Sequence, residues 1–141
     1  MLSPFTVAVE VRFRDIDAIG HVNNAVYLTY IETARVAYWL HVTGRPGDIK
    51  AVDIILARAE VDYRSPVVLG ETVEVAVRAA SMRRSSFVLD FRLTVRGSGR
   101  LVAEARNVAV YYDYAAGRSV PIPAEIRERI RKQDPEVREE S

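Results

Sequence analysis

The sequence contains no cysteine, which excludes disulfide scaffolds, thiolate nucleophiles and cysteine-ligated zinc sites. Nothing in it indicates an oxidising compartment, so we expect a cytoplasmic protein. Charge of one sign is also missing, because 20 basic and 19 acidic residues leave a formal net charge of +1. Such a chain has no global field to hold nucleic acid or an anionic membrane surface. We therefore expect neither as a partner, and any anion site must be local.

Glycine, proline and long apolar runs are scarce as well. Seven glycines and six prolines argue against a collagen-like or low-complexity chain, and 49% hydrophobic residues fit a globular protein. No apolar stretch approaches the roughly 20 residues that cross a bilayer. At 141 residues the chain has room for one domain and one core. We predict a single domain over residues 1–141, with its core at about 5–113 and a short helix with a frayed, charged tail at about 121–141.

One helix interrupts an otherwise strand-like sequence. From Asn24 to about Thr43 the apolar residues recur at helical spacing. Either Asn23 or Asn24 suits the N-cap, because its side-chain oxygen can accept from the free amides of the first turn. Glu32 and Arg35 fall on another side, where they predict an ordinary surface ion pair.

The other periodic segments predict an antiparallel sheet. Apolar and polar residues alternate with a period of two, the pattern of a strand with one buried face. In the last strand the apolar parity shifts near Arg106 and Asn107, which predicts a bulge that exchanges the two faces. No second crossover helix follows, so the pattern indicates an α+β fold with a five-stranded antiparallel sheet on one helix. The five predicted strands cover 5–13, 55–64, 73–78, 87–95 and 101–112.

The predicted sheet leaves two open edges. Exposed strand edges are templates for pairing, and two copies of the chain could close them by joining their sheets. We therefore expect a homodimer or a homotetramer.

The loop before the helix is the most informative segment for function. It places Asp15 and Asp17 next to a glycine and His21. A calcium loop would need an acidic residue where Val26 stands. A transition-metal site could use the two aspartates and His21, but the other histidine, His41, lies at the far end of the helix. A purely structural turn is a further alternative.

A metal-free arrangement also fits this loop. A carboxylate would stand just before a helix N-terminus, whose free N–H groups can bind a carbonyl oxygen as it gains negative charge. Acyl transfer needs these two elements together. The loop therefore indicates acyl-transfer chemistry as one of its possible uses.

A family resemblance rests on this loop and the helix after it. The segments DIDAIGHVNNAVY, at 15–27, and YIETAR, at 30–35, resemble the signature of hot-dog-fold acyl-CoA thioesterases of the 4-hydroxybenzoyl-CoA thioesterase type. Further matches lie in 62–71 and 81–87. The resemblance implies a hot-dog fold, with one long helix wrapped by a five-stranded antiparallel sheet. It also implies an enzyme that hydrolyses acyl-CoA to a free carboxylic acid and CoA at a dimer interface, without a metal or other cofactor.

The resemblance assigns roles in the loop. Asp17 matches the family's catalytic carboxylate, and the backbone N–H of Asn24 matches the amide that polarises the thioester carbonyl. Asp17 would either attack the thioester carbon or take a proton from attacking water. His21 is a second-tier candidate, because plant acyl-carrier-protein thioesterases have Asn where Ile19 stands here. Asp15 is expected to shape the loop.

Substrate contacts are predicted at two further places. Arg83, Arg84 and Ser85 lie in a turn whose guanidinium groups and hydroxyl match phosphate oxygens. In the resembling family this turn contacts CoA, often across a subunit boundary. Tyr27 and Tyr30 are candidates to line an acyl pocket, although aromatic residues at helical spacing are also typical of a core.

Two other functions stay open at this point. The first is a non-catalytic hot-dog module that binds acyl-CoA. The second is a hot-dog hydratase or dehydratase, which would need Asp17 and His21 poised together at the substrate. The acyl group, and CoA as against a carrier protein, are open as well.

Overall fold

The structure, a computed structural model, describes residues 4–140 and has one long helix packed against an antiparallel sheet. Its helices and strands are β1 (Phe5–Glu10), α1 (Val26–Val42), β2 (Ile54–Tyr63), β3 (Thr72–Met82), β4 (Ser86–Val95), β5 (Leu101–Asp113), β6 (Arg118–Ser119), α2 (Ala124–Gln133) and β7 (Arg138–Glu139). The five long strands run in the order β1-β3-β4-β5-β2, while β6 pairs with β5 and β7 with β3. The predicted α+β architecture is confirmed.

The core lies between α1 and the inner face of the three central strands. Every second residue of β3 and β4 is buried along most of their length, as the period-two pattern predicts. On α1 the buried side chains include Ile31, Ala34 and Trp39, and the Trp39 ring stacks on Phe87 at 5.1 Å between centroids. Burial of each large apolar side chain contributes about 1.5–3 kcal/mol. This packing holds the helix at a fixed height above the sheet.

Two predicted boundaries near the loop are wrong. β1 ends at Glu10, because the chain turns into a short 3-10 helix at Phe13–Asp15 and leaves the Phe13 side chain 83% exposed. The helix begins at Val26 and not at Asn24. The N-cap is Ala25 and makes no side-chain capping bond, so the predicted capping by Asn23 or Asn24 is wrong. Asn23 stabilises the turn before the helix instead, because its Oδ1 accepts from the backbone N–H of Ala25 at 2.9 Å.

The predicted exchange of faces in β5 is also wrong. β5 keeps one register past Arg106, and Asn107 and Ala109 face the core. Asn107 interrupts the alternation of apolar and polar residues in the sequence because it is a polar residue on the buried face of the strand. Its Oδ1 accepts from an Arg35 guanidinium nitrogen at 2.9 Å. Register shifts lie instead in β2 between Leu56 and Arg58, in β3 between Ala79 and Ser81, and near the start of β5, where Leu93 and Thr94 pair with Ala103 and Leu101.

Arg35 consequently differs from the predicted surface residue. Only 12% of its side chain is exposed, because it turns under the helix towards β5, and burial lowers its pKa below the ordinary value. Its guanidinium still lies 3.8 Å from Glu32. The pair therefore spans from the surface to the interior.

The predicted frayed tail is ordered up to Glu140. β7 runs parallel to β3 beside Ser81 and Met82, and the Glu140 N–H donates to the Met82 carbonyl at 2.8 Å. Glu139 accepts hydrogen bonds from two arginines of α2. Its carboxylate pKa falls to about 2 because hydrogen bonds from Arg131 favour the ionised form. The tail thus completes the edge of β3 beyond the end of β1.

The edge strand β2 is the least covered part of the sheet. Within residues 4–140 it pairs only with β5, and Ile55 and Leu56 are each 41% exposed. Long strands with an unpaired apolar edge are sites of association. No helix in the same described range is long and apolar enough to span a membrane.

Candidate functional site

A tight turn presents Asp17 at the end of the sheet. The Asp17 N–H donates to the His21 carbonyl at 2.9 Å, and the Gly20 N–H donates to the Asp17 carbonyl at 3.0 Å. Gly20 has φ +92°, a conformation that residues with a side chain rarely adopt. A bridge between Ile16 and Val22 closes the base of the turn. Glycine at position 20 therefore lets the chain reverse between Asp17 and His21.

Asp15 supports the loop from below. Its side chain is 2% exposed, and Oδ2 accepts from the Arg12 backbone N–H at 2.9 Å and from the Tyr30 hydroxyl at 2.7 Å. Burial by itself would raise the pKa of Asp15, but these hydrogen bonds and the Arg12 guanidinium lower it below the ordinary value. Burial, together with the contact to Asp15, raises the pKa of Tyr30. Asp15 therefore has the contacts of a loop-shaping residue.

Asp17 has a different environment from Asp15. It is half-buried, and its Oδ1 accepts from the Ile19 backbone N–H at 2.9 Å. Its Oδ2 accepts no hydrogen bond from any of residues 4–140. One carboxylate oxygen is therefore fixed by the loop and the other is left for a substrate or a water molecule.

The first turn of α1 presents an unpaired backbone N–H. The Asn23 carbonyl accepts from the Val26 N–H at 2.9 Å, so the peptide group between Asn23 and Asn24 is held at its oxygen. The Asn24 N–H at the other end of that peptide group has no acceptor in the described part of the chain. It stands at the positive end of the helix dipole. This N–H can donate to an oxygen that develops negative charge.

These groups line one shallow cavity of about 380 Å³. It brings together Asp17, His21, Asn24 and Tyr27, four of the predicted site residues. Tyr30 does not line it, because its ring is 1% exposed and its hydroxyl is occupied by Asp15. The cavity wall opposite the loop is formed by Tyr63, Arg64, Ser65 and Pro66.

Sequence reasoning assigned no role to this opposite wall. The wall lies within the segment 62–71, which also matches the resembling family, and this match is the sequence signal that could have pointed to it. Glu71 and Arg100 hold the wall in place: the Arg100 guanidinium donates to Glu71 and, at 2.9 Å, to the Pro66 carbonyl. Hydrogen bonds from Arg100 lower the pKa of Glu71 below its ordinary value. The wall is therefore anchored to the sheet by an ionised pair.

The predicted CoA-binding turn lies elsewhere in the chain. Ser85 accepts from the Tyr111 N–H near the end of β5, whereas Arg64 donates to Val102 near its start. At about 3.3 Å per residue, these points are about 30 Å apart along the strand. Arg83 and Arg84 are exposed, and the Arg83 Nε lies 3.3 Å from a Glu140 oxygen. One chain does not bring this turn to the cavity.

A larger groove of about 1060 Å³ lies on the outer face of the sheet. Several of its charged side chains pair across the sheet, for example Arg106 with Asp90 at 2.8 Å. It contains none of the predicted site residues. Over residues 4–140 no three histidine or acidic side chains are grouped closely enough to hold a metal ion.

The chain is similar to known thioesterases. The model of the thioesterase-like superfamily matches residues 11–130. The long-chain acyl-CoA thioesterase FadM of Escherichia coli is 25% identical over 126 residues, 86% of this chain and 93% of that protein. The acyl-CoA thioester hydrolase YbgC of E. coli is 30% identical over 111 residues, 77% of this chain and 82% of that protein.

A solved structure extends the similarity to three dimensions. A thioesterase from Thermus thermophilus, complexed with coenzyme A and Zn, has a TM-score of 0.82 and 40% sequence identity. The alignment covers 92% of this chain and 93% of that one.

Proposed function

Because the chain belongs to the thioesterase-like superfamily and hydrolyses acyl-CoA thioesters, we propose that Asp17 and the backbone N–H of Asn24 are its catalytic groups. We also propose that the site is of the 4-hydroxybenzoyl-CoA thioesterase type. The observation that carries the proposal is one cavity lined by Asp17, whose Oδ2 is unengaged, and by Asn24, whose backbone N–H is unengaged in the described residues. Thioester hydrolysis needs one group to start the attack and one to receive the developing charge.

The thioester carbonyl oxygen would accept from the Asn24 N–H as the carbonyl carbon is attacked. In one route Oδ2 of Asp17 attacks that carbon, the C–S bond breaks, and CoA leaves as the thiol after protonation. Water then cleaves the resulting anhydride and restores the carboxylate. In the other route Asp17 takes a proton from water while the water oxygen attacks, and the proton passes to the leaving sulfur. Both routes yield a carboxylic acid and CoA.

Other cavity residues have supporting roles in this proposal. His21 lines the cavity beside Asp17 and would contact the water or the substrate. Tyr27 would form part of the acyl wall, since it lines the cavity and is almost fully buried. Tyr30 would act indirectly, because its hydroxyl holds Asp15 under the loop.

Within one chain the predicted CoA-binding turn does not reach the cavity, so a second copy would have to supply it. We propose that two copies pair through the free edge of β2, running antiparallel about a twofold axis. In each chain the Ile54 end of β2 lies beside Tyr111, which contacts Ser85. Antiparallel pairing places that end of one copy beside the Tyr63 end of the other. Arg83 and Arg84 of one copy would then approach the Asp17 cavity of the other and bind CoA phosphates.

We also propose that the protein acts in the cytoplasm, where its cysteine-free sequence suits the reducing conditions. No cofactor is part of the proposed reaction. Homodimers or homotetramers are its proposed functional form.

The proposed function is tested by thiol release from a panel of acyl-CoAs. The panel should contain short, medium and long aliphatic chains and aromatic acyl groups, with enoyl-CoA hydration followed in parallel. We expect thiol release with at least one acyl class and no hydration of the enoyl group. Binding of acyl-CoA without release of thiol would favour the non-catalytic module, and hydration of enoyl-CoA would favour the hydratase.

A further inference from the structure

Tyr63 occupies a position beside the catalytic groups to which no role has been given. It is the last residue of β2, lines the cavity of Asp17 and Asn24, and is 47% exposed. Its hydroxyl donates to the Asn24 backbone carbonyl at 2.8 Å. Its ring meets Tyr27 edge-on, with centroids 5.0 Å apart and planes at 69°. A side chain of the sheet thus holds the backbone at the first turn of the helix.

The bond acts on the peptide group next to the proposed oxyanion donor. The peptide group between Asn24 and Ala25 is held at both ends, its oxygen by the Tyr63 hydroxyl and its N–H by Oδ1 of Asn23. The preceding peptide group, which carries the Asn24 N–H, is held only at its oxygen, by Val26. Because the two groups share the Cα atom of Asn24, fixing the second restrains the direction of the first.

The Tyr63 hydroxyl also restrains the direction of the Asn24 carbonyl oxygen, which is the negative end of its peptide dipole. The carbonyl oxygen of Asn24 accepts no other hydrogen bond from residues 4–140. If Tyr63 released it, this oxygen could turn towards the place where the thioester oxygen becomes negative, and that would oppose the reaction. A donor that keeps the carbonyl turned away therefore favours the transition state more than the bound substrate.

We infer that Tyr63 is a positioning residue, whose hydroxyl fixes the first turn of α1 so that the Asn24 N–H stays directed at the thioester oxygen. The inference rests on the proposed function, because it assigns a purpose to the same N–H. It places a structural requirement of the reaction on β2, far from the loop in sequence. Tyr63 itself does not touch the reacting atoms in this role.

Tyr114 supplies a matched control at the other end of β2. Its hydroxyl donates to the Ile54 backbone carbonyl at 2.8 Å, and its ring meets Tyr112 at 5.0 Å and 69°. The bond type, its length and the ring contact are therefore the same as at Tyr63. Its acceptor, however, is the carbonyl of Ile54, which does not belong to the first turn of α1.

The test is steady-state thioester hydrolysis by wild type, Tyr63→Phe and Tyr114→Phe, with the melting temperature of each. Loss of one hydrogen bond to a preorganised group corresponds to about a 2- to 12-fold change in rate. We expect kcat of Tyr63→Phe to be about 2- to 12-fold lower than that of wild type, with KM unchanged. The kcat of Tyr114→Phe should equal that of wild type. Phenylalanine preserves the ring contact, so both variants should fold.

The other outcomes count against the inference. An unchanged kcat in Tyr63→Phe, or a rise in KM alone, would overturn it and leave the proposed function intact. An equal fall of kcat in Tyr114→Phe would also overturn it, because the loss would then follow from a general loosening of the fold. Wild-type protein without activity on any thioester would overturn the inference and the proposed function together.

Discussion

Two aspartates separated by one residue have opposite surroundings in this loop. Asp15 is enclosed and accepts three hydrogen bonds, whereas Asp17 lines the cavity with one oxygen unengaged. The sequence could indicate this division only through the resemblance, because spacing alone treats the two carboxylates alike. Tyr30, fifteen residues later in the chain, is what separates them, and its contact with Asp15 depends on how α1 packs.

Replacing Asp15 with asparagine should destabilise the protein in a pH-dependent way. The ionised carboxylate accepts more strongly than an amide, and the loss should be about 1–3 kcal/mol in the free energy of unfolding at pH 7. Because the folded state lowers the pKa of Asp15 below 3.8, this stability is present above that pH. It is lost as the pH falls through the lowered pKa of the folded state. Urea unfolding between pH 7 and pH 2 measures the difference.

The exposed Asp48 provides the control for this prediction. Asp48→Asn should change the free energy of unfolding by less than about 0.5 kcal/mol at every pH. A loss in Asp15→Asn that stays constant down to pH 2 would contradict the assignment of an ionised, stabilising carboxylate.

At the scale of elements, β2 connects the fold to the site. Its last residue, Tyr63, holds the start of α1 through a hydrogen bond to Asn24. Its edge opposite β5 is unpaired in residues 4–140 and available to a second copy. The alternating pattern predicted the strand well, with bounds of 55–64 against the observed Ile54–Tyr63. The pattern could not show that this strand is an edge, because alternation describes one chain and not the neighbours of a strand.

Ala59→Glu should prevent association through β2. A twofold pairing would bring the two introduced carboxylates close together in a buried strand pair, and like charges facing each other destabilise a sheet. We expect wild type to have the mass of a dimer or tetramer in light scattering and Ala59→Glu to have the mass of a monomer with a native circular dichroism spectrum. Thioester hydrolysis should fall with association, since the CoA-binding turn would then be missing.

The matched variant is Ala124→Glu, at the exposed first position of α2. It adds the same charge away from β2 and should keep the wild-type mass and activity. A fully active wild-type monomer would contradict the proposed dimer, whatever the behaviour of Ala59→Glu.

For the whole molecule, the predicted hot-dog fold is confirmed, while the arrangement of the site depends on contacts distant in sequence. The loop and the helix start are local, so their motif pointed to the chemistry. The course of β5 was predicted wrongly because Asn107 faces the core, and only its contact with Arg35 explains that polar residue there. The tail was predicted to fray because its charges look solvated, yet Arg127 and Arg131 pair with Glu139.

The central claim is that Asp17 starts the hydrolysis of the thioester. Its most direct test is the value of kcat/KM for Asp17→Asn, measured on the best acyl-CoA of the panel and compared with Asp62→Asn. Asp62 is an exposed carboxylate at the same end of the sheet, paired with Arg64 at 3.9 Å. We predict that Asp17→Asn lowers kcat/KM at least about 100-fold, the usual contribution of an acid–base or nucleophilic group, while Asp62→Asn stays near wild type. A folded Asp17→Asn protein with the wild-type rate would contradict the account.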